Sequence, residues 1–209
     1  MIKLILLIVY LNLISSCQSD TTQLDTIDFD INATPCQLIE SRDFICDEHF
    51  VTTDDGYILL IHHLINPVLA SSGRKTIKPV IIQHGLFGAS THWLINSEGG
   101  FASDYYHLNN LTAIKDKLQV EGRNLPYLLS NLGYDVWIPN SRGNKYSRNH
   151  TFLNPDHDSS YWRFSFEEMI TYDTPAIIDY ILRQTGHGKF EFYIDNFHDN
   201  RPFIFIFPY

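Results

Sequence analysis

The chain has 209 residues, 44% of them hydrophobic and 14% aromatic, enough apolar material for a domain with a sizeable core and too much for a disordered segment. Its formal net charge of −9 argues against nucleic acid as a partner, which would call for a basic face. Ten histidines would nearly cancel that charge if all were protonated, so an acidic compartment would change the surface strongly.

Residues 1–17 place Lys3 ahead of an apolar run from Leu4 to Ile14, followed by Ser15, Ser16 and Cys17. That order of charge, apolar core and small residues predicts a secretory signal peptide and an extracellular or lysosomal destination. The run is too short to cross a bilayer, and no later stretch reaches the roughly 20 apolar residues of a transmembrane segment. Removal of the peptide leaves Cys36 and Cys46, which fit either one short-loop disulfide or two buried thiols. Sequons at Asn32, Asn110 and Asn149 fit a secreted glycoprotein.

HFVTTDDGYILLIHHLI, residues 49–65, predicts two strands around Asp55-Gly56, a pair suited to the positive φ angles of a tight hairpin. LINPVLASSGRKTIKP follows as a polar loop, and KPVIIQHG as a strand apolar on both faces. Residues 101–122 fit the alternation of elements poorly and are assigned to an inserted surface segment. LPYLLSNLG gives a helix with Leu125, Leu128, Leu129 and Leu132 on one side and Gly133 as its stop. YDVWIPN is the next strand. Thr174-Pro175 opens a second helix, with Ile177, Ile178, Ile181 and Leu182 on its apolar stripe and Gly186 at its end. Glu167, Glu168 and Asp173 are explained by the preference for carboxylates at helix starts. FEFYI, residues 190–194, is a third core strand. Strand, helix, strand, helix, strand at these spacings predicts an α/β fold with parallel pairing.

His62-His63 and Asp156-His157-Asp158 lack the spacing of a zinc-enzyme motif such as H-E-x-x-H, so the spacing assigns no metal site. The tail FIFIF, residues 203–207, is apolar and uncharged, with alternating β-branched and aromatic character: in a folded enzyme that composition suits a strand, and at a chain end an aggregation-prone segment, the reading taken.

Four words, EHFVTTDDGYILLIHHL, PVIIQHGLFGASTHWL, LGYDVWIPNSRGNKYSRNH and YWRFSFEEMITYDTPAIIDYIL, resemble the acid lipases of the α/β-hydrolase superfamily, the family of lysosomal acid lipase and gastric lipase. The resemblance runs from about Asp47 to Ile194, interrupted at 101–122. It implies an α/β-hydrolase fold carried as far as the nucleophile strand, and cleavage of neutral lipid esters such as triacylglycerols or cholesteryl esters, without a cofactor. In that family a Ser-Asp-His triad does the chemistry, with the serine on a G-x-S-x-G turn directly after a strand. One oxyanion donor is a backbone N–H of the loop after the HG pair, here Leu86. His84 and Gly85 take a supporting role beside that loop. Asn140, Ser141, Arg142, Gly143 and Asn144 are expected to brace the nucleophile elbow.

Laid on this chain, the elbow motif falls on Asp195, Asn196, Phe197, His198 and Asp199, so Phe197 occupies the nucleophile position between residues that are not glycine. The acid and the histidine of the triad lie further along in the family. With the signal peptide at 1–17, the resemblance therefore predicts part of a lipase domain at 18–194, with an insertion near 101–122, and a divergent tail at 195–209, inactive as it stands and with an open edge on the nucleophile strand. A replacement site in which His198, with Asp195 or Asp199, serves a serine such as Ser90 or Ser141 is less favoured than chance co-occurrence. Two other readings stay open: a secreted, non-catalytic lipid-binding protein on a partial hydrolase scaffold, and intron readthrough as the source of both the 101–122 segment and the tail.

Overall fold

The computed structural model describes residues 29–95, 99–105, 125–188, 190–194 and 203–207. The chain forms two compact units, 1–32 and 33–209; in the first, the described residues hold one short helix, α1 (Phe29–Asn32).

The second unit begins with α2 (Pro35–Glu40), whose start is fixed by a reciprocal cap. The Thr34 hydroxyl accepts the Gln37 N–H at 3.2 Å, and Gln37 Oε1 accepts the Thr34 N–H at 2.8 Å. Leu38 and Ile39 are its buried side chains of greatest volume. A disulfide between Cys36 and Cys46 ties α2 to the first strand.

Strands β1 (Ile45–Thr52) and β2 (Tyr57–Ile65) pair antiparallel, from Ile45 opposite Ile65 to Thr52 opposite Ile58. The turn between them needs glycine twice over. Gly56 has a φ of 97°, and a Cβ there would lie 2.6 Å from Thr151 Oγ1.

Residues 66–78, expected as a polar loop, contain a short helix, α3 (Pro67–Ser71). Asn66 caps it by accepting the Val68 and Leu69 N–H groups, and Pro67 stands at the first helical position, where no donor is missed.

The remaining elements are β3 (Pro79–Gln83), α4 (Leu125–Asn131), β4 (Asp135–Pro139), β5 (Asn149–His150), α5 (Phe166–Glu168), α6 (Thr174–Thr185), β6 (Phe190–Ile194) and β7 (Phe203–Phe207). The second long helix starts earlier than Thr174. Ser165 and Glu168 form a capping box, and a π turn over Met169–Asp173 joins α5 to α6. Pro175 has no N–H to give, and the wider turn ahead of it absorbs the missing bond. Gly186, at φ 66°, closes α6.

The sheet runs β1-β2-β4-β3-β6-β7, with β5 on β2. β3 is parallel to both β4 and β6, and the other pairs are antiparallel. Because side chains alternate across a strand, Val80, Ile82, Val136 and Ile138 face one layer with Leu38, Ile39 and Tyr127. Ile81 and Trp137 face the other layer, with Ile177 and Ile181 of α6.

The open edge expected on β6 is occupied. Residues 203–207 pair antiparallel along it, from Phe190 opposite Phe207 to Ile194 opposite Phe203. An antiparallel return needs only a short connection, whereas a parallel neighbour needs a crossover of about a dozen residues, and FIFIF has the β-branched and aromatic composition of a strand. The elbow positions Asp195–Asp199 and the sequon Asn110 lie outside the described residues.

Replacing both Cys36 and Cys46 with serine is expected to lower unfolding stability by about 2–3 kcal/mol, the loop-closure value for a sequence separation of 10. A urea midpoint equal to that of the parent chain would count against the bond.

Candidate active site

β3 and β4 run parallel, so the loops leaving their C-terminal ends emerge on the same edge of the sheet, the usual place for a ligand crevice in an α/β fold. From β3 come His84, Gly85, Leu86, Phe87 and Gly88; from β4 come Asn140, Ser141, Arg142, Gly143 and Asn144.

His84 joins the two loops. One ring nitrogen, Nδ1, is 2.8 Å from the Gly85 carbonyl; the other, Nε2, receives the Ser141 N–H at 3.1 Å and the Asn144 side-chain amide at 3.2 Å. A nitrogen that accepts two donors carries no proton, so the ring is neutral, with its hydrogen on Nδ1.

Asn140 is fully buried and works in the same direction. Its carbonyl oxygen accepts the Ser90 N–H at 3.0 Å, and its amide donates to the Leu60 carbonyl and to His62 Nδ1, each at 3.2 Å. Among the described residues, 140–144 therefore brace the 84–93 loop and strand β2.

Arg142 is the strongest node. Its guanidinium is fully buried and forks onto both oxygens of Asp55 at 2.6 and 2.9 Å. It also donates to Asp173 through Nε at 2.8 Å, and it lies over the Tyr57 ring at 3.9 Å. Burial works against ionisation of Asp55, but the hydrogen bonds from Arg142 and Thr53 outweigh it and hold the carboxyl below its ordinary pKa. Asp173 is thus a buried ion-pair partner; the helix-start preference alone does not explain it. Glu167 and Glu168 do stand at a helix start.

Gly143 has a φ of 76°, and a Cβ there would meet Phe164 Cζ at 2.7 Å. The backbone must come this close because Phe164 and Trp162 form one wall of a cleft of about 1240 Å³. Leu86, Phe87, Met169 and Ile170 supply further apolar lining; Phe87 is 97% exposed and has a positive φ of 60°. The polar groups facing this cleft include His84, Ser141 and Asn144. Gln83, His92, Lys145 and Asp179 also line it, but most of the surface it exposes is apolar, the make-up of a site for an apolar ligand.

Neither candidate serine hydroxyl bonds an imidazole among the described residues. Ser90 Oγ is buried with no hydrogen-bond partner, and Ser141 Oγ accepts from Gln83 Nε2 at 3.1 Å. His198 lies outside the described residues. Asn32 and Asn149 are exposed. In the Asp156-His157-Asp158 run, Asp156 pairs with Arg148 and Asp158 accepts a backbone N–H. The sequence marks Asp55 as a turn residue and not as the partner of Arg142, and the only signal for the aromatic wall at 162–166 is that YWRFSF lies inside a family word.

Residues 36–97 match a model described as a partial alpha/beta-hydrolase lipase region, and residues 78–193 match the alpha/beta hydrolase fold. The chain belongs to the α/β-hydrolase family. The chain is 36% identical over 175 residues to Lipase 1 of Drosophila melanogaster, covering 83% of itself and 32% of that protein. It is 32% identical over 153 residues to human Lipase member M, covering 73% of itself and 30% of the relative. Gastric triacylglycerol lipase of Rattus norvegicus is 33% identical over 156 residues, with 75% of this chain and 33% of the relative covered. The matches thus span about a third of the length of these curated relatives.

Two outcomes test the site's framework. Arg142→Met leaves two carboxylates without their cation, one of them buried. It is expected to cost about 3–5 kcal/mol, part of which the double variant with Asp173→Asn recovers in urea titrations. The second concerns His62, which is fully buried and held by burial at a pKa of about 4, against an ordinary 6.5. Between those values the unfolded chain takes up the proton and the folded one does not, so stability falls as pH drops from about 6.5 to about 4, by on the order of 3 kcal/mol. His62→Gln should flatten that part of a stability-versus-pH curve; an unchanged slope would remove His62 as its source.

Proposed function

We propose that this chain is the oxyanion-loop and acyl-cleft part of a secretory-pathway lipase acting on neutral lipid esters such as triacylglycerols or cholesteryl esters. The observation that carries the reading is the apolar cleft of about 1240 Å³ at the C-terminal ends of β3 and β4, with the His84–Gly88 loop at its rim. In the mechanism of such enzymes a serine attacks the ester carbonyl, and backbone N–H groups hold the oxygen as it becomes negative. The Leu86 N–H is the donor assigned here, with His84, Asn140 and Asn144 fixing its loop. The 209 residues contain no G-x-S-x-G sequence, and Phe197 takes the nucleophile position in the resemblance. By themselves they bind lipid ester without cleaving it. The domain plan that goes with this reading is a signal peptide at 1–17, lipase scaffold at 18–194 with an insertion near 101–122, and a divergent tail. Glycans sit at Asn32, Asn110 and Asn149. Kinship with gastric triacylglycerol lipase supports the substrate class and the secretory route.

A second reading, a secreted lipid-binding protein without any catalytic partner, is favoured by the exposure of Phe87 and of Ile170, 97% and 69%. Both readings lose their footing if the chain ignores lipid. Purified from a secretory host, the chain is expected to leave a chromogenic short-chain ester at the buffer rate. It is also expected to retain a non-hydrolysable triacylglycerol ether analogue saturably, and to lose that retention in the double variant Phe87→Asp/Ile170→Asp. Clear ester turnover would overturn inactivity, and absent or non-saturable retention would overturn the lipid-ester assignment.

A further inference from the structure

The antiparallel register of β1 and β2 sets Asp47 directly opposite His63. His49 lies two residues along β1 from Asp47, so all three project from the same face of the sheet. One ligand atom of each lies within 4.8 Å of those of the other two. We propose that Asp47, His49 and His63 bind one divalent transition-metal ion of the Zn²⁺ type.

The groups around the three residues favour this. His63 Nε2 is 2.6 Å from Asp135 Oδ1, and the other Asp135 oxygen accepts the Trp137 indole N–H at 2.9 Å. With its Nε2 hydrogen given to a buried carboxylate, His63 keeps the Nδ1 lone pair for a ligand, the carboxylate–histidine arrangement that orients metal-binding imidazoles. Its ring also stacks on Trp137 at 3.9 Å and 5°, which fixes its plane.

His49 Nδ1 contacts the Tyr180 hydroxyl at 2.9 Å, while its Nε2 is buried with no hydrogen-bond partner. An orphaned buried nitrogen is costly, and a metal ion would satisfy it. Two imidazoles and one carboxylate form a donor set suited to zinc and its neighbours, with the remaining position open to water. The exposed carboxylate of Asp47 gives an ion its route in.

The cluster of Cys36, Glu48 and His62 is a weaker candidate, since Cys36 is spent in a disulfide and offers no thiolate. Asp135 opens β4, whereas Asn140 of the candidate active site follows its end. By register His63 stands opposite Trp137 at the middle of β4 and His49, through Ile61, lies level with Pro139, yet none of the three ligands lines the cleft, so the metal acts as a clamp on the edge strand β1, independent of ester chemistry.

The test uses the full secreted chain after chelator treatment. Equilibrium dialysis against micromolar Zn²⁺ at neutral pH is expected to retain one equivalent, and Co²⁺ to give visible d–d bands of a low-coordinate nitrogen and oxygen site. His49→Gln should abolish both. Asp135→Asn should weaken binding about 10–100-fold by releasing His63. Asp47→Asn alters an exposed side chain that folding does not need; it should weaken Zn²⁺ binding and change the Co²⁺ bands, while His157→Gln should leave both unchanged. Retention below one equivalent in the parent chain, or retention and bands in Asp47→Asn that match the parent, would overturn the site.

Discussion

Arg142 carries the constraint on which the rest of the site depends. A guanidinium stripped of water must be paired on every side, and here its partners come from separate parts of the chain: Asp55 from the β1–β2 turn, Asp173 from the start of α6, and the Tyr57 ring from β2. The loop after β4 is thereby fixed to the hairpin and to the helix at once. Gly143 follows directly, and its missing Cβ lets Phe164 and Trp162 close against that loop as a wall of the cleft.

The loop after β3 is held by the same neighbour. Ser141 and Asn144 donate to a neutral His84, and Asn140 takes the Ser90 N–H, so the two loops that line the cleft share one hydrogen-bond network. Such a network is costly to satisfy in part, because each buried member left without its partner pays its desolvation in full. Such a braced polar rim suits the donor role proposed for the Leu86 N–H, since a donor that must move at the moment of reaction gives up part of its effect.

Much of the fold was legible in the chain. The hairpin follows from Asp55-Gly56 between apolar runs, β3 and β4 from short runs apolar on both faces, and α6 from its isoleucine stripe closed by Gly186. Helix α3 was missed because its cap, Asn66-Pro67, also reads as a turn, and the pairing of 203–207 with β6 because composition alone cannot tell an aggregation-prone strand from one with a partner. The rim residues 84–88 and 140–144 were legible only through the family words. Their partners were not: nothing in the spacing says that Asp55 and Asp173 meet at Arg142, or that His49 and His63 share a face with Asp47.

The family words carried the resemblance to the α/β hydrolases; the sequence by itself determined the periodicities, namely which runs are strands or helices and where glycine must stand. These are local properties, fixed by side-chain alternation, capping and turn chemistry within a few residues. Only the tertiary structure decided which charges and imidazoles become neighbours. Strand register and helix docking join residues up to 131 positions apart, as His49 and Tyr180 are, and the burial created there sets which nitrogens and carboxylates carry a proton.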